Sequence, residues 1–122
     1  MQLSLENKIA LVTGGTRGLG REMVLAFAKA GADVIISSRK QDACDATAEE
    51  VRKLGRRALP IACHMGDWSA IEAMVAHAYD EWGRIDILVN NAGMSPVEPH
   101  SVDVTEALFD KVVGVNFKGP FR

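Results

Sequence analysis

The sequence predicts one α/β domain in which helices cover both faces of a doubly wound parallel sheet. Short, nearly continuous apolar runs, typical of strands buried on both faces, alternate with longer segments whose apolar residues recur at helical spacing. Segments of this length between strands allow right-handed crossovers, which place the strands parallel. We therefore expect a three-layer α/β/α fold. The 122 residues suffice for one domain, over residues 1–122, and not for two.

Two strand–helix units and a third strand are predicted in the first half of the chain. Strands are expected over residues 8–13, 33–37 and 58–62. Pro60 suits an edge position, because proline cannot donate to a central ladder. A first helix is expected over about residues 17–30, before Gly31, and a second helix before Gly55. The predicted inner stripes are Leu19, Met23, Ala26, Phe27 and Ala30 in the first helix, and Cys44, Thr47, Ala48, Val51 and Leu54 in the second.

The second half of the chain continues the alternation. Asp67 is expected to cap a third helix, and Thr105 a last one. The predicted apolar stripe of the third helix is Ile71, Met74, Val75, Ala78 and Trp82, and that of the last helix is Leu108, Val112 and Val115. Between these helices we expect a fourth strand over residues 85–89, followed by a loop with Pro96 and Pro99.

Composition and charge narrow the function classes. Apolar residues make up 48% and charged residues 25% of the chain, as in ordinary globular proteins. The net charge of -2 gives no electrostatic reason to expect nucleic acid or an anionic membrane as a partner. Neither a membrane span nor the apolar segment of a signal peptide is found, so a cytoplasmic location is expected. Cys44 and Cys63 are not spaced as metal ligands; we expect no metal site and two buried free thiols.

A glycine-rich segment lies where the first strand passes into the first helix. It runs Thr13-Gly14-Gly15-Thr16-Arg17-Gly18-Leu19-Gly20. Glycines allow a tight turn and a close approach of backbone to a ligand, and the free N–H groups of a helix start attract a diphosphate. The spacing G-x-x-x-G-x-G differs from the G-x-G-x-x-G dinucleotide fingerprint, but its position between strand and helix is the same. The segment therefore predicts a nucleotide site.

Three motifs, in order along the chain, resemble those of the short-chain dehydrogenase/reductase family. They are Thr13-Gly14-x-x-x-Gly18-x-Gly20, Asn90-Asn91-Ala92-Gly93 after the fourth strand, and Val115-Asn116-Phe117-Lys118-Gly119. The resemblance covers essentially the whole chain and implies a Rossmann-type fold with strand order 3-2-1-4, continued by later strands. From the residues alone, Asn90 and Asn91 end a strand at the edge where open α/β sheets bind ligands, although Asn also suits a structural role there.

The resemblance implies an NAD(P)-dependent oxidoreductase that transfers a hydride between a nicotinamide cofactor and a carbonyl or alcohol substrate. Asn116 is implied as a catalytic residue that helps hold a water in a proton relay; a polar residue that bends the helix is the alternative. A cofactor-binding role is expected for Thr13, Gly14, Thr16, Arg17, Gly18, Leu19, Gly20, Ser38, Arg39, His64, Met65, Asn90, Asn91, Ala92 and Gly93.

The end of the second strand favours NADP over NAD. Enzymes that prefer NAD usually have an acid at this position, which accepts hydrogen bonds from the ribose hydroxyls. Here Ser38 is followed by Arg39 and Lys40, and the Arg39 guanidinium can pair with a 2′-phosphate. A solvated basic pair is the alternative interpretation. Arg17 is a second candidate cation, whereas Asp33 precedes the strand and is expected at the turn or strand start.

One position departs from the family pattern. After the third strand the family usually places an Asp that contacts the adenine amine, and His64 occupies that position here. Two interpretations stay open, a hydrogen bond from His64 to adenine and a neutral surface histidine. Asp67, three residues later, is expected as the helix cap.

The remaining catalytic groups of the family, a Ser and a Tyr-x-x-x-Lys pair, are expected beyond Arg122. Tyr79 cannot replace them, because it lies on the third helix with Trp82 rather than Lys nearby. A chain that ends at Arg122 is expected to bind cofactor without turning over substrate. Without its next neighbour, the segment 85–90 would form an exposed apolar edge, so the isolated polypeptide is expected to be poorly soluble or marginally folded.

Two other functions are open at this point. A non-catalytic NADP-binding module or regulatory protein would keep the same motifs. A methyltransferase with another adenosine ligand is disfavoured by the second and third motifs. The resemblance further implies a small-molecule substrate, no nucleic-acid or membrane partner, and a homo-oligomer, dimer or tetramer, built on the helix that starts near Thr105.

Overall fold

The computed structural model describes residues 3–94 and 100–122. Pro96 and Pro99, which mark the loop predicted after the fourth strand, lie outside the described residues. Within the two described ranges, no helix combines the length and apolar character needed to cross a bilayer. The same ranges contain no group of three or more His, Cys, Asp or Glu side chains that could hold a metal ion.

The strands form a single parallel sheet. They are β1 (Ile9–Thr13), β2 (Asp33–Ser38), β3 (Ala58–Ala62) and β4 (Ile87–Val89). The sheet has the order β3-β2-β1-β4, and every neighbouring pair is parallel. In register, Leu11 of β1 lies between Ile35 and Leu88. The parallel sheet and its strand order are confirmed.

The helices also follow the predicted sequence of elements. They are α1 (Gly18–Lys29), α2 (Gln41–Lys53), α3 (Trp68–Trp82), α4 (Glu106–Val113) and α5 (Gly119–Phe121), with a 3₁₀ turn over Ser101–Asp103 and a π-helical turn over Gly114–Lys118 between α4 and α5. Both predicted caps are confirmed, since Asp67 accepts from the Ala70 N–H and Thr105 from the Leu108 N–H. Gly31 follows α1 in the left-handed region, at a φ of 106°.

Two apolar clusters cover opposite faces of the sheet. One packs α3 on the sheet through Ile9, Leu11, Ile35, Cys63, Met65, Ile71, Met74 and Ala78. The other packs α1 and α2 on the opposite face through Val12, Val24, Ala28, Val34, Ile36, Ala48 and Val51. Alternate residues of β1 and β2 therefore enter different clusters, as side chains on a strand must. This arrangement confirms the three-layer, doubly wound architecture.

The predicted inner face of α1 is wrong in part, although Phe27 packs against the core as expected. Leu19 is 71% exposed and Ala26 is also exposed. The residues that α1 buries are Gly20, Val24 and Ala28, which lie four residues apart on one face. The helix is turned this way because its first turn presses against the backbone at the end of β1, where only Gly20 leaves enough room. Sequence reasoning placed Leu19 in the inner stripe because its side chain is apolar, and so misplaced the start of this face.

Three smaller expectations also need correction. Leu54 and Val75, both predicted to face inward, are 41% and 36% exposed. The fourth strand begins at Ile87 instead of residue 85. Asp86 lies opposite Ile9 there, and its backbone N–H donates to Ile9 O at 2.9 Å. Its carboxylate in turn accepts from the Ile9 N–H at 2.8 Å. These bonds tie the start of β1 to the start of β4.

The sheet has two edges in the described residues, β3 and β4. The edge position of β3 confirms the expectation based on Pro60, which lies opposite Ile36. At the other edge, Leu88 of β4 is 55% exposed. The two cysteines, Cys44 and Cys63, are free and buried, as expected.

Asp33 joins the start of β2 to the turn before β3. Its carboxylate accepts from the Arg57 backbone N–H at 3.0 Å and from the Arg57 guanidinium at 2.9 Å, and Arg56 lies 3.4 Å away. Burial alone would raise the pKa of Asp33, but the hydrogen bonds from Arg57 and the charges of Arg57 and Arg56 lower it below its ordinary value of 3.8. The expected role at the strand start is confirmed.

Asp33→Asn is expected to lower the free energy of unfolding at pH 7 by about 1–3 kcal/mol, because the amide loses the ion pairs and keeps weaker hydrogen bonds. A carboxyl whose pKa is lowered by folding stabilises the native state above its unfolded pKa. That contribution disappears as the pH falls through the folded pKa. Urea unfolding at pH 7 and near pH 3 should therefore show a gap between wild type and variant that is smaller in acid. Asp80→Asn, at an exposed position of α3, is the matched control, and an equal gap at both pH values would contradict the assignment.

Candidate functional site

A cavity of about 810 Å³ opens at the carboxyl edge of the sheet. All four strands contribute to it through the segments that follow them, and α4 closes one side. Its lining residues are Gly14, Thr16, Arg17, Gly18, Ser37, Ser38, Arg39, Lys40, Ala43, Cys63, His64, Met65, Asn91, Ala92, Gly93, Met94, Lys111 and Val115. This is the edge at which open α/β sheets bind their ligands.

The turn from β1 into α1 presents backbone N–H groups to this cavity. Gly14 and Gly18 have φ angles of 63° and 55°, a region that favours glycine. The Gly15 N–H is used within the protein, donating to Ser37 O at 3.0 Å. Within the described ranges, no acceptor is found for the N–H groups of residues 16–20. They remain available at a helix N-terminus, where the helix dipole attracts an anion.

Gly20 brings the first turn of α1 against the end of β1. A methyl group at this position would lie 2.0 Å from the Gly14 carbonyl oxygen and 2.4 Å from Nδ2 of Asn91. These distances are shorter than any real contact, so a side chain at residue 20 would displace the turn. Glycine is thus required here for packing, although its φ is not in the left-handed region.

Thr13 and Asn91 connect the ends of β1 and β4. Oγ1 of Thr13 accepts from the N–H groups of Asn91 and Ala92, both at 3.1 Å, and donates to Val89 O at 3.3 Å. Nδ2 of Asn91 donates to Gly14 O at 3.0 Å. The side chain of Thr13 is buried and spent on these bonds. Thr13 therefore has a structural role, joining the end of β1 to the end of β4. The expectation that it binds cofactor did not distinguish this role from a direct contact with the ligand.

The charged residues that line the cavity carry one sign. Arg17, Arg39, Lys40 and Lys111 contribute positive charge, and none of the described lining residues is Asp or Glu. The whole chain has a net charge of -2, so the positive charge is concentrated locally. Such a cavity favours a ligand with several negative charges.

The segment after β3 closes one end of the cavity. Nδ1 of His64 accepts a hydrogen bond from the Gly66 N–H at 2.9 Å. Asp67 is engaged in capping α3, as expected. Cys63 is 4% exposed, and its burial, followed by the negative charge of Asp67, raises the pKa of its thiol. The thiol therefore stays protonated near neutral pH and is a poor nucleophile.

Asn116 lies in the π-helical turn and holds the backbone that follows β4. Its Oδ1 accepts from the Met94 N–H at 2.8 Å, and its Nδ2 donates to Met94 O at 2.7 Å. Both ends of the side-chain amide are thus bound to one residue. π-helical turns of this kind are frequent at functional sites, because the extra residue redirects a side chain.

A family model described as short chain dehydrogenase matches residues 8–122. The chain belongs to the short-chain dehydrogenase family. Dehydrogenase/reductase SDR family member 4 of Sus scrofa is 40% identical over 114 residues, which are 93% of this chain and 41% of that protein.

Solved structures of the family have a similar backbone fold over the part that this chain covers. L-sorbose reductase from Gluconobacter frateurii, complexed with NADPH and L-sorbose, has a TM-score of 0.94 at 26% identity, covering 99% of this chain and 46% of that one. The 3-ketoacyl-(acyl-carrier-protein) reductase from Brucella melitensis, complexed with NADH, has a TM-score of 0.89 at 37% identity, covering 97% and 48%. This chain thus spans less than half the length of these relatives. The two solved structures are of reductases complexed with NADPH and with NADH.

Most of the expected short-chain dehydrogenase site residues come together. Those that line the cavity are Gly14, Thr16, Arg17, Gly18, Ser38, Arg39, His64, Met65, Asn91, Ala92 and Gly93. Those outside its lining are Thr13, Leu19, Gly20, Asn90 and Asn116. Thr13, Gly20 and Asn116 shape the cavity through the contacts described above, while Leu19 and Asn90 are exposed beside it. The assignment of a binding role to each residue stays a prediction.

Sequence reasoning missed several lining residues. Lys111 and Val115 reach the cavity from α4 and the turn after it, and Met94 does so from the loop after β4. Their participation depends on how α4 lies across the sheet edge, which no local pattern reports. The third family motif was the available signal, since Val115 belongs to it and Lys111 precedes it by less than one and a half helical turns.

Gly20→Ala is expected to lower the free energy of unfolding by about 1–3 kcal/mol, because the added methyl group overpacks the contact with Gly14 and Asn91. Alanine would otherwise favour a helix, so the sign of the change tests the contact. Chemical unfolding of the two proteins measures it. Lys29→Ala, at the exposed end of the same helix, is the control. A Gly20→Ala protein as stable as wild type would show that the turn does not press on α1.

Proposed function

We propose that this chain is the nucleotide-binding part of an NADP-dependent short-chain dehydrogenase/reductase acting on a small carbonyl or alcohol substrate. The observation that carries the proposal is the cavity itself. It combines an open helix N-terminus with four cationic lining residues, and its described lining contains no carboxylate. A dinucleotide with an extra phosphate supplies the matching negative charge.

The diphosphate is proposed to lie against the β1–α1 turn. Residues 16–20 offer N–H groups without a partner in the described parts of the chain, at the positive end of the α1 dipole. The positive φ of Gly14 and Gly18 lets this backbone turn tightly toward the ligand. Arg17, in the same turn, adds a charge beside it.

The choice of NADP rests on the end of β2. Arg39 and Lys40 line the cavity there, and the Ser38 hydroxyl contacts Sγ of Cys44 at 3.3 Å instead of presenting a negative group. An acid at this position would repel a 2′-phosphate, whereas a guanidinium binds it with two hydrogen bonds. Relatives of similar fold have been solved with NADPH and with NADH, so these local charges support the choice.

When bound, the nicotinamide would supply or accept the hydride. The residues of this chain would bind and orient it, with Ala92 and Gly93 forming the wall after β4 and Asn116 holding the adjoining backbone at Met94. Through that contact we propose a positioning role for Asn116, and the relay role stays a prediction. Groups that exchange a proton with the substrate are proposed to belong to the part of the family domain that residues 8–122 do not cover.

The location, oligomeric state and partners of the whole protein are also proposals. We propose a cytoplasmic protein that forms a homo-oligomer and binds neither nucleic acid nor membrane. The net charge of -2 supports the absence of nucleic acid. Phe109 of α4 and Phe117 of the following turn, 60% and 73% exposed, support burial of this helix against further polypeptide.

Arg39→Asp is expected to weaken NADP binding by about tenfold to a hundredfold, because it removes a charge-assisted pair and adds repulsion. NAD, which lacks the 2′-phosphate, should bind as well as before or better. Titration of each cofactor by fluorescence or calorimetry measures both affinities.

Lys53→Asp provides the matched control for this change of charge. Lys53 lies in the last turn of α2, exposed and outside the cavity lining, so the substitution should alter both affinities by less than about threefold apart from long-range screening effects. Equal losses in the Arg39 and Lys53 variants would attribute the effect to net charge. Unchanged selectivity in Arg39→Asp would contradict the NADP assignment.

A further inference from the structure

The end of the cavity at β3 is where the base of the nucleotide would lie. Along the sheet edge the order is β4, the β1 turn, β2 and β3. With the diphosphate at the β1 turn and the 2′-phosphate at Arg39 after β2, the base attached to that ribose falls beyond them, against the segment after β3. Of that segment, Cys63, His64 and Met65 line the cavity. The thiol is buried and Met65 is apolar, so His64 is the polar group that can meet the edge of a base.

The ring of His64 is held by the backbone of Gly66. Nδ1 accepts the Gly66 N–H at 2.9 Å. A methyl group at residue 66 would lie 2.8 Å from Cε1 of His64, 3.0 Å from Nδ1 and 3.5 Å from Cγ2 of Val115. The ring therefore lies close to a backbone without a side chain, and Val115 of the π-helical turn borders the same space. Two observations, a hydrogen bond and a steric fit, define the same ring position.

This bond decides which hydrogen bond the ring can offer. A nitrogen that accepts from a backbone N–H carries no proton, so the proton of the neutral imidazole is on Nε2. Nε2 can then donate but not accept. Among the hydrogen bonds of the described residues, none uses Nε2 of His64. The free group at this end of the cavity is a donor.

We propose that His64 recognises the purine through an acceptor atom of the base, by donation from Nε2, and does not recognise the exocyclic amine. The proposal rests on the proposed nucleotide site and deepens it. An amine is a donor and needs an acceptor opposite it, which an Asp or Glu side chain would supply. Residue 64 here offers a donor instead of an acceptor, because the Gly66 N–H occupies the one ring nitrogen that could accept.

A consequence is relaxed selectivity between adenine and hypoxanthine. The two bases share the acceptor nitrogens N3 and N7, and hypoxanthine has an acceptor oxygen where adenine has its amine, while N1 changes from an acceptor in adenine to a donor in hypoxanthine. A donor at residue 64 finds an acceptor on either base, whereas a carboxylate at residue 64 would be left facing that oxygen. An unpaired polar group in a binding site is costly, so the two side chains should discriminate differently.

The experiment compares the affinities of the full chain for NADP and for its hypoxanthine analogue, in which oxygen replaces the 6-amino group. Wild type is expected to bind the two within about threefold of each other, since one hydrogen bond from Nε2 is available to both. His64→Asp is expected to prefer NADP by about tenfold or more, because the new acceptor pairs with the amine and opposes the oxygen. Calorimetry or fluorescence titration gives the ratio directly.

Two further variants separate recognition from packing. His64→Phe keeps the ring and removes its hydrogen bonds, and it should weaken both nucleotides equally, by about threefold to tenfold. Gly66→Ala keeps His64 but pushes its ring out of place, and it should reproduce that equal loss. Gly66 does not have a φ in the left-handed region, so alanine adds no backbone strain.

The outcomes are distinguishable. A wild type that binds NADP at least tenfold more tightly than the analogue would overturn the assignment of His64 and leave the proposed function intact. A His64→Phe protein with unchanged affinity for both nucleotides would do the same. Binding of neither nucleotide by wild type would overturn the proposed function and this inference together. Independently of any ligand, ¹⁵N shifts of the His64 ring should show a protonated Nε2 and a bare Nδ1, and the reverse tautomer would contradict the premise.

Discussion

The rest of the site depends on the hydrogen bond and the packing contact that the Gly14 carbonyl makes. This carbonyl accepts from the Asn91 amide at 3.0 Å, and Gly20 packs against it where no side chain could be placed. Thr13, one residue earlier, binds the backbone of Asn91 and Ala92. The ends of β1 and β4 and the start of α1 are therefore locked to one another. These contacts direct the N–H groups of the turn into the cavity and hold them there. Such preorganisation of a site lowers the entropic cost of binding a ligand.

The positive charge around these contacts comes from several secondary-structure elements. The cations of the cavity come from the β1 turn, from the end of β2 and from α4, so no single segment creates the positive field. Since these elements are far apart in sequence, the field exists only after the sheet has formed and α4 has crossed its edge. Because these four cations line one cavity and no described lining residue is acidic, a chain of net charge -2 has a locally positive surface there.

Two polar side chains of the site take their chemistry from neighbouring backbone. Gly66 makes the His64 ring a donor, and Met94 occupies both ends of the Asn116 amide. In each case a backbone hydrogen bond, and not the residue type, decides what the side chain can still offer. Cys63 lies beside His64 but remains a protonated, buried thiol, because burial raises its pKa. The identity of a residue therefore lists its possible roles, and its surroundings select among them.

Local chemistry by itself determined the order of elements, the caps at Asp67 and Thr105, the edge position of β3 and the glycine turn, because each depends on residues close together in the chain. Only the tertiary structure decided which face of α1 is buried. That face is set by the contact between Gly20 and Gly14, and not by the apolar character of Leu19. The tertiary structure also decided that Lys111 joins the cavity. These features require atoms from distant segments to meet, and sequence spacing carries no measure of that distance.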